Sequence, residues 1–489
     1  MAGIGFALRD FSRQETLSSV VRATGHAAVI AAGPWLFTIF SLVAITAVAE
    51  RIAGHETLAT FRAITIYAFA ISLVLAAPVT IVATRLLADA LWQRRQDTVR
   101  PLLIAGMLAA IAAVALGVIA VVLYLGVPLV LSVALLAATA IVAMIWVALA
   151  FCGAVKDYAA ITWSFVGGLL VSVIGASAAA IAGLGPAGMS WGFTAGLAIT
   201  LFGLVGRVLA TFGPGTATIG AQLSALVIGA RTYGYLAAGA MFGAAGVWID
   251  KWVFWLSPEG QAVQGGLIHA PLYDSAMFIA SLVIIPALAQ FVVQLETGFF
   301  ERYQGYYGTI QNHGTIDQIE AERVRLQGVS LESLTLITVA QMAIAAVLVL
   351  IAPAIVEALN LQFRQIAILR YGALGSVFQF IFIAATSMVV FFDRRRLYCA
   401  LQALFFALNL SLTALTVHLG EDYFGVGYFA ASLIAGGVAL VVAERTFDTL
   451  NYLTFIGNNP SVVDATGRQA AWRRLLSIIQ RVPGAFSQR

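Results

Sequence analysis

The sequence predicts an all-α polytopic membrane protein of about twelve transmembrane helices arranged as two pseudo-symmetric six-helix bundles. Apolar runs of twenty or more residues recur about a dozen times along 489 residues, each followed by a short polar break. Hydrophobic residues make up 61% and charged residues 10%, against about 25% charged in a soluble domain, so no stretch is left for a soluble catalytic domain. Internal similarities, set out below, relate the first half to the second. A helix of about 20 apolar residues crosses the ~30 Å hydrocarbon core, and it satisfies its own backbone where lipid offers no hydrogen bonds.

The runs place spans at 25–50, 62–89, 101–126, 129–152, 159–183 and 188–211, then at 232–256, 270–297, 333–358, 365–391, 398–418 and 424–448. The first ends in Ala47-Val48-Ala49, which looks like a signal-peptidase site. The run before it exceeds the 7–15 residues of a signal h-region, so it reads as a retained span. Gly33-Pro34, Pro78, Pro286 and Pro353 fall within runs and are expected to interrupt or bend them. Arginine placement sets the orientation. Arg9, Arg13, Arg22, Arg94, Arg95, Arg100, Lys156, Arg231, Arg302, Arg323, Arg325 and Arg394 to Arg396 all fall on one side, and little more than Arg51, Arg62 and Arg364 on the other. The positive-inside rule makes both termini and the longest internal loop, 298–332, cytoplasmic.

The formal net charge of +4 is spread over the breaks and forms no patch, so nucleic acid is not an expected partner. Cys152 and Cys399 fall near expected cytoplasmic span ends and read as packing residues. In the loop, Glu322 and Arg325 stand one helical turn apart within a polar helical stretch from Ile316 to Leu326. That stretch is a solvated connector or a docking surface for a cytoplasmic partner. The tail from Ala471 to Arg481 sets Trp472, Leu475, Leu476 and Ile479 beside basic residues, the pattern of a helix lying on an anionic leaflet of the lipid bilayer.

The duplication rests on two alignments. Ile71-Ser72-Leu73-Val74 with Pro78 resembles Ala280-Ser281-Leu282-Val283 with Pro286, each in the second span of its half. Phe151, Lys156, Tyr158, Ala160 and Phe165 match Phe391, Arg396, Tyr398, Ala400 and Phe405 at a constant offset of 240 residues. The halves are therefore expected at 1–215 and 216–489, in parallel orientation.

No paired-histidine motif, phosphate-binding glycine loop or nucleophile elbow is present. Catalytic residues, metal ligands and cofactors are not expected. Charges within spans are costly in lipid and mark partners or aqueous cavities. Asp250, Lys251, Asp274 and Arg370 count to similar depth in the outer leaflet. Lys251 is expected to pair with Asp274 across the hairpin, leaving Asp250 and Arg370 as a second pair or as cavity-facing groups; an interfacial belt that includes the tryptophans is the alternative. Deeper, Gln290 and Gln294 share a helical face with Glu296 close by. These groups can hydrogen-bond sugar hydroxyls or simply join neighbouring helices. Trp35, Tyr67, Trp252 and Tyr273 offer rings for stacking on pyranose faces.

The opening Met1-Ala2-Gly3-Ile4-Gly5-Phe6, Gly33-Pro34-Trp35, Trp248-Ile249-Asp250-Lys251-Trp252 and the twelve-span layout resemble the PelG family. These are the inner-membrane transporters of the Pel exopolysaccharide system in Gram-negative bacteria. The resemblance covers nearly the full chain. It implies the multidrug/oligosaccharidyl-lipid/polysaccharide flippase superfamily, with a central cavity between two six-helix bundles. It further implies Pel polysaccharide, cationic and rich in galactosamine, as substrate, with PelD-like and PelE-like membrane proteins and a PelF-like cytoplasmic glycosyltransferase as partners. Two other functions fit the residues. One is a proton- or sodium-coupled exporter of small molecules using Asp250, and the other is a membrane scaffold for the polysaccharide synthase acting through 298–332 and the tail.

Overall fold

A computed structural model describes residues 39–457, apart from 51, 156 and 264. The N-terminal tail, Gly33-Pro34, Trp35 and the basic segment 471–481 lie outside the described residues. Helices α1 (Ile39–Glu50) and α2 (His55–Trp92) are followed by α3 (Val99–Leu125), α4 (Leu129–Val155), α5 (Tyr158–Ile181) and α6 (Gly185–Thr211). An amphipathic α7 (Ile219–Thr232) leads into α8 (Gly234–Trp255) and a small antiparallel hairpin of β1 (Gln261–Ala262) and β2 (Ile268–His269). Then come α9 (Pro271–Leu282), α10 (Ile284–Gln294), α11 (Phe300–Gln311), α12 (Ile316–Ala358), α13 (Gln365–Phe391), α14 (Arg395–Leu419) and α15 (Val426–Asp448).

Among the described residues, ten helical segments are long and apolar enough to cross a membrane, so the chain is a multi-pass membrane protein. The expected first and seventh spans are not in that set. α1 is described only from Ile39, and α8 is a 22-residue helix rich in glycine and alanine that carries Asp250 and Lys251. The other predicted boundaries lie close to observed helix ends. One expectation needs correction. Pro78 and Pro353 sit inside unbroken helices, whereas the eighth segment does break, at Val283, three residues before Pro286, which has no N–H to donate to the Leu282 carbonyl and so cannot carry the ladder across from α9. Within 298–332 the expected helical stretch from Ile316 forms, and the segment is helical beyond it: a five-residue π turn (Leu295–Phe299) runs into α11, and Thr315 with Gln318 forms a capping box that starts the 43-residue α12. The predicted Glu322–Arg325 pair forms at 2.5 Å. Arg323 binds Glu320 and donates to the carbonyl of Phe447, which ties this extension to the end of α15.

Contacts sort the helices into two sets. α2 packs on α3 and α4, α4 on α6, and α6 on α5; in the second set α13 packs on α9, α12 and α15, and α14 on α8 and α15. At both junctions related by the 240-residue offset one helix closely follows another in sequence, α4 ending at Val155 and α5 starting at Tyr158, and α13 ending at Phe391 and α14 starting at Arg395. The sets meet chiefly where α2 lies against α8.

The α5–α6 contact is made by backbone. Added Cβ atoms at Gly192 or Gly196 would overlap main-chain atoms of Gly175 and Gly168 respectively, the small-residue packing that lets helices approach where no hydrophobic drive separates lipid from protein. Gly192→Ala is expected to destabilise the fold by about 1–3 kcal/mol, as overpacking does. Its thermal unfolding in detergent should shift down, while Gly206→Ala, which meets open space, should leave the transition in place.

Candidate functional site

The hairpin side of the α2–α8 contact holds a buried polar and aromatic cluster. Asp250, one helical turn and a half from the end of α8, is 0% exposed. Its carboxylate accepts from Lys251 Nζ at 2.9 and 3.1 Å and from the Tyr273 hydroxyl at 2.9 Å. Lys251 reaches back to donate also to the carbonyl of Val247 at 3.2 Å, and its ammonium lies 5.9 Å from the ring of Tyr428. A buried carboxylate is tolerated because it is ion-paired and hydrogen-bonded. Tyr273 is itself stacked on Phe254, with centroids 3.8 Å apart.

The expected Lys251–Asp274 pair is not formed. Asp274 sits in the first turn of α9, where its Oδ2 accepts from the Ala270 amide at 3.0 Å and from Trp255 Nε1 at 2.8 Å. Helix starts favour a carboxylate through their free amides and dipole, so Asp274 is held without a cation. Nor does Arg370 join Asp250: it is exposed and donates to the carbonyl of Val349 on α12 at 3.1 Å. Sequence position fixes where each residue stands along its helix, but not the direction in which the helix turns it.

Tyr67 bridges the two sets. Its hydroxyl donates to the carbonyl of Ile268 at 2.9 Å and accepts from the Ile268 amide at 3.3 Å, in the manner of a strand partner, and its ring stacks on Trp255 at 4.7 Å. Trp252 is half-buried against the same cluster. Trp248 keeps a buried indole N–H without a partner. On β2, burial lowers the pKa of His269 and the neighbouring Arg62 and His55 lower it further, which keeps its imidazole neutral at neutral pH. Sequence reasoning missed several supports of this cluster. Gln379 accepts from the Tyr428 hydroxyl, Gln365 binds the start of α9 through Leu272 and Ser275, and Asn409 donates to the Gly246 carbonyl at 2.8 Å. Amides in apolar spans were the available signal.

Gln290 and Gln294 are placed elsewhere. They line a groove of about 370 Å³ between α10 and α12, together with Pro286, Ser333 and Gln341. The groove lies within the second set rather than between the sets. Glu296 belongs to the π turn, its side chain outside the described residues. Cys152 is buried and Cys399 half-buried, both as free thiols. Among the described residues no group of histidine, cysteine and carboxylates could hold a metal ion.

The fold is similar to a multidrug resistance MATE family transporter of the MOP superfamily. The inward-facing conformation aligns with a TM-score of 0.59 at 13% identity, over 87% of this chain and 99% of that one. The outward-facing conformation gives 0.57 at 16% identity, over 87% and 96%. A MATE structure in the straight conformation gives 0.57 at 15% identity, over 88% and 96%. At such identities the likeness is one of fold. No curated protein sequence matches the chain. The profile of the PelG family, described as "Putative exopolysaccharide Exporter (EPS-E)", matches residues 1–455. The chain therefore belongs to the PelG exopolysaccharide-exporter family.

Proposed function

We propose that this chain carries Pel exopolysaccharide across the bacterial inner membrane, between bundles formed by 1–215 and 216–489. Counting α1 and α8 as the first and seventh spans gives twelve, with both termini and the 298–332 extension cytoplasmic and the hairpin side periplasmic. One observation carries the reading: an exopolysaccharide-exporter family sequence on a transporter fold concentrates buried carboxylates and aromatic rings where its two helix sets meet.

In the closed arrangement Lys251 neutralises Asp250, and Tyr67 seals the contact. Separation of α2 from α8 uncovers Asp250 and Asp274 for the ammonium groups of a galactosamine-rich polymer, and Trp252, Tyr67 and Tyr273 for its sugar faces. Trp35 in the first span is proposed to add a further ring to this path. Gln290, Gln294 and Glu296 stand nearer the cytoplasmic entrance. Arg370, exposed on the far side of α13, takes no direct part. A PelF-like glycosyltransferase supplies the polymer, and PelD-like and PelE-like proteins dock on the helical extension.

Sealed inverted vesicles holding the synthesis complex, fed sugar nucleotide and then treated with a Pel-degrading hydrolase, test this. Hydrolase-protected polymer is expected only when the chain is present. Abundant polymer that stays digestible sinks the translocase reading, and loss of synthesis itself favours the scaffold. A second reading, cation-coupled export of small molecules, draws on the MATE-like fold and the buried Asp250 carboxylate. It requires transport that follows an ion gradient without polymer synthesis.

A further inference from the structure

We propose that the groove between α10 and α12 is a membrane-facing site for the uncharged sugar headgroup of a lipid, entered from the bilayer side. Gln341, in the middle of α12, is 1% exposed and lines this groove, yet neither atom of its amide has a hydrogen-bond partner. Buried amides are nearly always satisfied, because leaving one unpaired is destabilising. Gln290, Gln294 and Ser333 line the same space, so four side chains converge that both donate and accept. Hydroxyl groups, which do likewise, are their natural complement. No charged side chain is among the described residues lining the groove. A phosphate or ammonium seated there would be an unpaired buried charge.

The mouth says how the ligand arrives. Leu336 is 65% and Ile344 40% exposed at the groove, and Val339 and Met342 beside them are also exposed. α12 packs on α10, α11 and α13 and turns outward a face of leucine, valine, methionine and isoleucine, whose chemistry suits hydrocarbon rather than an aqueous cavity. A ligand that enters from there brings its own apolar body. From Gln341 to the end of α12 at Ala358 is about 25 Å of helix at 1.5 Å per residue, which sets the groove in the leaflet opposite the hairpin.

The test uses the full chain in nanodiscs and a photoactivatable glucosyl-diacylglycerol. Wild-type protein should crosslink within the groove. Gln341→Leu should cut the yield about tenfold, the equivalent of one lost hydrogen bond to a buried polar group. The same substitution should leave the thermal transition of the empty protein unchanged or raised, since it removes an unsatisfied amide. Ala340→Trp, which fills the mouth without touching the amides, should cut crosslinking as well, and keeps the test open if Gln341→Leu does not fold. Phosphatidylglycerol and sugar-free diacylglycerol should compete at least about tenfold less well than unlabelled glucolipid. Equal crosslinking of folded variants and wild type overturns the site. Equal competition by phosphatidylglycerol overturns the headgroup assignment. Equal competition by soluble oligosaccharide shows that the sugar comes from solution, and overturns the lipid source.

Discussion

Asp250→Ala is expected to destabilise the folded protein by about 3–5 kcal/mol and to abolish export, because it strands one charge in a buried site. Lys251, with a side chain 14% exposed, would lose its counter-ion, and the Tyr273 hydroxyl would lose its acceptor. Thermal unfolding in detergent and polymer protection in vesicles read the two effects separately. The informative variant is the double substitution Asp250→Leu with Lys251→Met. Replacing a buried pair by apolar side chains of similar size is often neutral for stability, so the double variant should lose only about 1–3 kcal/mol, for the unpaired Tyr273 hydroxyl, and unfold well above the single variant. If the carboxylate receives the polymer, export stays lost in this stable protein. Export that returns with stability would make the pair purely structural and remove Asp250 from the path.

Tyr67→Ala should loosen the contact between the helix sets on the hairpin side. Tyr67 is 6% exposed and combines a two-way hydrogen bond to Ile268 with a stack on Trp255. Truncating a buried aromatic costs about 3–5 kcal/mol. If even 3 kcal/mol of that falls on the closed arrangement alone, its population relative to an open one drops about a hundredfold. A cysteine at Ala63, buried in the same cluster, in a Cys152→Ala, Cys399→Ala background, reports it by reaction with an impermeant maleimide. Labelling should accelerate by at least about tenfold in Tyr67→Ala. Tyr67→Phe keeps the stack and loses about 1 kcal/mol of hydrogen bonding, so it should fall in between. An unchanged rate in Tyr67→Ala would show that this contact does not close the path.

Span positions were legible because hydropathy and length decide them, and the structure departs mainly where propensity meets proline. That Asp250, Lys251 and Asp274 stand close together at one end of their helices was legible too, since counting from a span end fixes position along a helix. Partner choice was not. Adjacent residues on a helix point about 100° apart, yet the long lysine stem folds back over Val247 and reaches Asp250. Asp274 needed no lysine, because the start of its own helix supplied an amide and Trp255 an indole. Gln341 carried only the signal of an amide in an apolar span. It is one amide in a 43-residue helix, and the residues that make it notable lie about fifty positions away on α10.

The backbone contact between α5 and α6 has a mechanical consequence. Two helices whose glycines touch main chain, with only small serine and threonine side chains between them, leave little to compress, so they act as one stiff plate. Labels on α5 and α6 should keep a fixed separation throughout a transport cycle. Compliance is then left to the places where the hydrogen-bond ladder is already weakened, the proline inside α2 and the break at Val283. The two helix sets would move as levers that each flex at one place, the first at the α2 proline beside its stiff α5–α6 plate and the second at the break before α10.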